Sequence, residues 1–74
     1  MSGPHISLGP GATSPDLKTW QARMAQRGWD LAADGIFGPR TQSVMESFQA
    51  EKNLRVDGIL GPETWNAAWT KRIT

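Results

Sequence analysis

Apolar positions recur at helical spacing in three separate stretches of this 74-residue chain. In the first, Leu17, Trp20 and Met24 share a face with Gln21 beside them, while Lys18, Arg23, Gln26 and Arg27 lie mostly elsewhere. Ser14-Pro15-Asp16 opens this helix with an N-cap hydroxyl, Pro at the first helical position and a carboxylate facing the positive end of the dipole; Gly28 ends it. A second helix is predicted from about Pro39 to Lys52. It turns Thr41, Val44, Met45 and Phe48 inward and Gln42, Glu46 and Glu51 outward, with Asn53 in the left-handed position that follows. A third, from about Pro62 to Arg72, carries Trp65, Ala68 and Trp69 as its apolar stripe, with Lys71 and Arg72 at the negative end of its dipole. Helices this short are not stable alone, so the three apolar faces must pack on one another. The expected fold is all-α, a compact three-helix bundle.

The connections between the helices repeat. Asp34-Gly35-Ile36-Phe37-Gly38-Pro39-Arg40-Thr41 returns 23 residues later as Asp57-Gly58-Ile59-Leu60-Gly61-Pro62-Glu63-Thr64, with six of eight positions identical. One supersecondary unit has been used twice. Asp-Gly marks a tight turn in which Gly takes a positive φ and the carboxylate bonds nearby N–H groups. Gly-Pro then starts a helix, Gly as N-cap and Pro at the first position. Leu31 and Leu54 each stand three residues before the Asp and extend the repeat with an apolar anchor.

Residues 1–13 contain five Gly or Pro and follow neither period, which predicts a flexible tail or linker with a reach of roughly 20 Å. The domain is expected over residues 14–74. Without Cys there is no disulfide framework, thiolate nucleophile or Cys-bound zinc, so packing alone must hold the core. A net charge of +1 with both signs interspersed gives no footprint for nucleic acid or an anionic membrane. No apolar run reaches the length of a membrane span, and the N-terminus lacks the regions of a signal peptide, so an export route is not encoded here.

Catalysis finds little support. The single His, His5, has no carboxylate or thiol nearby, and of the seven acidic residues only Asp34 and Asp57 are placed by the repeat, where a turn role competes with any acid–base role. The loops lack the ligand ladder and terminal Glu of a calcium-binding EF-hand. No catalytic residue, metal or other cofactor is expected.

Leu17-x-x-Trp20-Gln21-x-x-Met24-x-x-x-Gly28-Trp29, the first Asp-Gly-x-Phe-Gly-Pro-x-Thr, Phe48-Gln49, and Leu54-x-Val56-Asp57-Gly58-Ile59-Leu60-Gly61-Pro62-x-Thr64-Trp65 together resemble the peptidoglycan-binding domain 1 family, over about residues 15–69. The resemblance implies a three-helix module that attaches lytic enzymes, phage endolysins among them, to the bacterial cell wall. It implies peptidoglycan, glycan and stem peptide, as partner, a tethered catalytic domain as neighbour, and a monomer. Two positions depart from the family's usual Leu, with Trp20 in the first helix and Ala68 in the third, and the Trp20 ring is expected to fill volume vacated at Ala68.

A reader of peptidoglycan needs flat apolar surface, hydrogen-bond partners and a receiver for carboxylates. Each repeat delivers a helix N-terminus whose orphan N–H groups favour anions. Arg40 makes the first loop the stronger anion candidate, unless it is an ordinary solvated charge; Glu63 replaces it in the second. Trp20 and Trp65 fall on core stripes, whereas Trp29 and Trp69 sit at element ends, where an indole can lie half exposed against a ligand. The candidate ligand-binding residues are thus Trp29, Asp34, Gly35, Gly38, Arg40, Asp57, Gly58 and Trp69. Asp34 and Asp57 also serve a loop-building reading, and Gly35, Gly38, Gly58 and Gly61 allow either turn geometry or close approach of a ligand. Gln21 and Gln49 are expected to tie helix to loop through hydrogen bonds. The competing reading is a protein-interaction or autoinhibitory domain, which a broad apolar patch would mark instead of a groove near Arg40 and Trp29 or Trp69.

Overall fold

The Ser14 hydroxyl accepts the Asp16 N–H at 3.1 Å, and the chain enters its first helix, α1, at Pro15. The computed structural model describes residues 6–70, with α1 over Pro15–Gln26, α2 over Pro39–Glu51 and α3 over Pro62–Thr70. These are the three predicted helices, and Asn53 takes its predicted left-handed conformation at φ 62°. Lys71 and Arg72, expected to extend the third helix, lie outside the described residues, as does His5.

Leu17, Trp20, Met24, Val44, Met45, Phe48, Trp65 and Ala68 are buried in one cluster, as their spacing predicts. Trp20 meets the Phe48 ring edge-on at 6.4 Å. Two large core residues come from the repeated loops. Phe37 and Leu60, which occupy equivalent places in the repeat, are fully buried, while Leu31 and Leu54, the expected anchors, are only partly so. The anchor therefore follows the Asp-Gly turn.

The N-terminal stretch departs from expectation. Residues 6–13 do not form a free tail: Leu8 pairs with Leu60 through two backbone hydrogen bonds, and Thr13 bridges to Ile36. Gly11 N donates to Phe37 O at 2.8 Å, and Phe37 N donates to Ala12 O at 2.9 Å. Ile6, Leu8 and Ala12 pack against the core. One extended strap thus ties both loops together at equivalent residues, Phe37 and Leu60, and satisfies backbone groups that would otherwise be orphaned. A chain beginning at Ser14 is expected to lose about 2 kcal/mol, or roughly 10 °C in melting temperature, through the exposed apolar surface and lost pairing. Thermal unfolding followed by circular dichroism checks this; an unchanged midpoint would mean the strap contributes nothing.

Arg27 is the other departure. It is buried, not on the polar side of α1. Its Nη1 donates to Ala68 O at 3.0 Å, and Arg23 Nε donates to the same oxygen at 2.9 Å. Two cations, Arg23 in the last turn of α1 and Arg27 just after it, therefore cap a carbonyl in the last described turn of α3, where the dipole favours positive charge. The Arg27 guanidinium also lies 5.3 Å from the centre of the Phe48 ring. Burial pushes its pKa down, Arg23 adds to this and Glu51 opposes it; a guanidinium stays protonated throughout the working pH range all the same.

Candidate functional site: two matched loops and a cationic groove

The two loops are built by the same hydrogen bonds. In the first, Gln21 Nε2 donates to Thr41 Oγ1 (2.9 Å), Ile36 O (3.0 Å) and Asp34 Oδ1 (3.3 Å), while its Oε1 accepts the Gly35 N–H at 2.8 Å. In the second, Gln49 Nε2 donates to Asp57 Oδ1 (2.9 Å), Ile59 O (3.1 Å) and Thr64 Oγ1 (3.1 Å), and Oε1 accepts Gly58 N–H at 3.1 Å. Asp34 Oδ1 and Asp57 Oδ1 also accept the N–H groups of Ile36 and Ile59, each at 3.0 Å. A neutral amide suits this position because it both donates and accepts. Gly35 at φ 75° and Gly58 at φ 69° supply the left-handed turn that aims each N–H at its glutamine.

This geometry sorts the candidate residues. Gly35 and Gly58 are buried with their amides engaged, so the close approach of a ligand expected there is not open to it. One carboxylate oxygen of Asp34 and one of Asp57 are committed to the loops, which supports the loop-building reading. Gly38 and Arg40 line a groove of about 370 Å³ together with Asp30, Leu31, Asp34 and Ile36. Gly38 caps α2 with no side-chain bond to the first turn. Arg40 is exposed and has no ion-pair or hydrogen-bond partner among the described residues.

The repeat makes an equivalent groove of about 340 Å³ at the second loop, lined by Arg55, Asp57, Ile59, Gly61 and Glu63, with Ile6 and Ser7 of the strap at its edge. The loop grooves thus hold a similar balance of charge. Arg40 stands with Asp30 and Asp34, and Arg55 stands with Asp57 and Glu63. Neither is simply cationic, which weakens the expectation that Arg40 alone makes the first loop an anion site.

Neither Trp29 nor Trp69 lines the Arg40 groove. Trp29 is half-buried and set edge-on against Phe48 at 6.2 Å, while Trp69 stacks on Trp65 at 4.5 Å with 28° between the rings. Trp69 instead walls a third groove, of about 430 Å³, along the outer side of α1, with Lys18, Thr19, Ala22, Arg23 and Gln26. Arg23 lies over the Trp69 ring, 5.9 Å from its centre. The sequence pattern marks Lys18 and Arg23 only as polar-face residues, and no local signal in it points to a groove shared with Trp69.

Residues 13–68 match a family model described as "Putative peptidoglycan binding domain". The chain is 38% identical over 63 residues to the zinc D-Ala-D-Ala carboxypeptidase of Streptomyces albus G, covering 81% of this chain and 25% of the enzyme. It is 39% identical over 54 residues to a spore cortex-lytic enzyme of Halalkalibacterium halodurans, covering 72% of this chain and 16% of that protein. The structure of a Burkholderia AP3 phage endolysin matches with a TM-score of 0.81 at 33% identity, over 90% of this chain and 26% of the endolysin. The chain therefore spans about a quarter or less of the proteins it matches here. The family match covers most of the chain and the fold matches as well, and the chain belongs to the peptidoglycan-binding domain family.

Proposed function

We propose that this chain is a non-catalytic module that binds bacterial peptidoglycan and holds an attached cell-wall hydrolase, such as an endolysin, on its substrate. The observation that carries this reading is the family match over residues 13–68 in a chain that corresponds to a fraction of several cell-wall enzymes. The benefit of such a module is effective concentration: a tethered catalytic domain meets neighbouring bonds repeatedly without diffusing away. Action at the cell wall follows from the same reading. A monomer belongs to the same reading, because among the described residues the exposed large hydrophobic side chains are few, Ile36 and Val56. So small a number also favours wall binding over an interaction or autoinhibitory domain, which would present a contiguous apolar patch.

Arg40 and Gly38, at the mouth of α2, remain candidate contacts to the wall, together with Trp69 in the α1 groove. Because Asp30 and Asp34 share the Arg40 groove, Arg40→Ala is expected to weaken binding to purified sacculi only about two- to threefold, the scale of an exposed charge. The melting temperature should stay the same. Equal affinity of the variant and the parent chain in a sedimentation titration would remove Arg40 from the contact surface.

A further inference from the structure

The α1 groove differs in charge from the two loop grooves. Among the described residues its charged lining is Lys18 and Arg23, with no carboxylate, whereas acidic side chains outnumber basic ones in each loop groove. The two cations are held differently. Arg23 is fixed by its Nε bond to Ala68 O and by its position over the Trp69 ring, and four of its five N–H groups remain for a ligand. Lys18 is exposed, and its ammonium has no ion-pair or hydrogen-bond partner among the described residues. A pre-set guanidinium and an unengaged ammonium that line one groove suit a carboxylate, since the guanidinium needs little further ordering on binding. The remaining wall is small and apolar: Ala22, Ala33 and the Trp69 indole. The ring is already stacked on Trp65 and overlain by Arg23, so it offers a boundary for a small aliphatic group more readily than an open platform for a sugar.

We infer that the groove between α1 and Trp69 binds a peptide C-terminal carboxylate next to a small side chain, the chemistry of an alanyl end of a peptidoglycan stem peptide. The inference rests on the peptidoglycan reading for the source of the ligand, and on the groove alone for its chemistry. Lys18 and Arg23 take the carboxylate, and the alanyl methyl group lies against Ala22 and the indole edge. Arg23 supports α3 as well, so Lys18 is the residue to change.

The test is a nuclear magnetic resonance titration of the full chain with N-acetyl-D-alanyl-D-alanine and, in parallel, its C-terminal amide. The acid is expected to shift the Trp69 indole N–H, the Arg23 Nε–H and the amides around Lys18, and the amide form is expected to shift them little. Lys18→Glu should weaken the acid's effect by about tenfold, the scale of one lost charge-assisted bond, with an unchanged melting temperature. Equal shifts from acid and amide, or shifts centred on Gly38 and Arg40, would overturn the assignment. Retention of the chain on sacculi together with an unresponsive α1 groove would overturn this inference and leave the peptidoglycan reading standing. Acid-specific shifts in the groove without retention on sacculi would support the groove's chemistry and reject the wall as its source.

Discussion

Gln21→Ala is expected to cost about 3 kcal/mol, and Gln49→Ala about the same, because each leaves a buried N–H of one loop without a partner and removes the other bonds that the amide makes. Loss of the Gln21 amide orphans the buried Gly35 N–H and takes one bond each from the Ile36 carbonyl, which keeps the Gly38 N–H, and the Thr41 hydroxyl; loss of Gln49 orphans the Gly58 N–H and does the same to the Ile59 carbonyl, which keeps the Gly61 N–H, and to Thr64. A chain of this length has a total stability on the order of 4–11 kcal/mol, so one substitution removes a large share of it. Gln21→Glu separates hydrogen bonding from simple packing. A carboxylate there would face Asp34 Oδ1 and the Ile36 carbonyl, so it folds best when protonated and its folded pKa is raised. The native state then binds more protons than the unfolded one. Stability of Gln21→Glu should be greatest at low pH, below the usual Glu range, and fall as pH rises through the raised value. Denaturant unfolding at several pH values checks this; a Gln21→Glu variant as stable as the parent at pH 7 would contradict the role assigned to the amide.

The second large effect concerns Trp20 and Ala68. Both are fully buried in the shared core, and α1 packs on α3. Trp20→Ala is expected to cost about 3–5 kcal/mol through the cavity it opens. The Trp20 Nε1 is buried with no hydrogen-bond partner among the described residues, so Trp20→Phe should be much milder: it loses ring volume but also removes a donor that folding desolvates without return. Ala68→Leu alone should overpack by about 1–3 kcal/mol. If the Trp20 ring occupies the space that a leucine at 68 would take, Trp20→Leu combined with Ala68→Leu will be at least about 1 kcal/mol more stable than the sum of the single changes. Additivity within about 0.5 kcal/mol, or stabilisation by Ala68→Leu alone, would show that the two positions do not share a pocket.

The helices and their caps were legible because their signals are local. Ser14, Pro39, Pro62 and Asn53 act within a few residues of themselves, and the 3.6-residue period of Leu17, Trp20 and Met24 marks the buried face directly. The roles of Gln21 and Gln49 were legible for a different reason: each amide stands next to a core aromatic, Trp20 or Phe48, at a position that matches the family's pattern. The strap was not legible. An extended segment rich in Gly and Pro has no period of its own, and residues 6–13 take their order from Leu60, Ile36 and Phe37, which are distant in sequence. Arg27 was misplaced for a related reason, since its partner is a carbonyl 41 residues away. The candidate site divided along the same line. Gly38 and Arg40 share a groove because they are neighbours in sequence, whereas their separation from Trp29 and Trp69 depends on how α1 and α3 pack, which periodicity does not report.

The measurement that bears most directly on the central claim is cosedimentation of the chain with purified, protein-free bacterial sacculi, compared with sacculi stripped of stem peptides. Binding to peptidoglycan predicts retention on intact sacculi, and a carboxylate-reading surface predicts that most of it disappears on stripping. Absence of retention on both would contradict the account and turn the search to a protein partner.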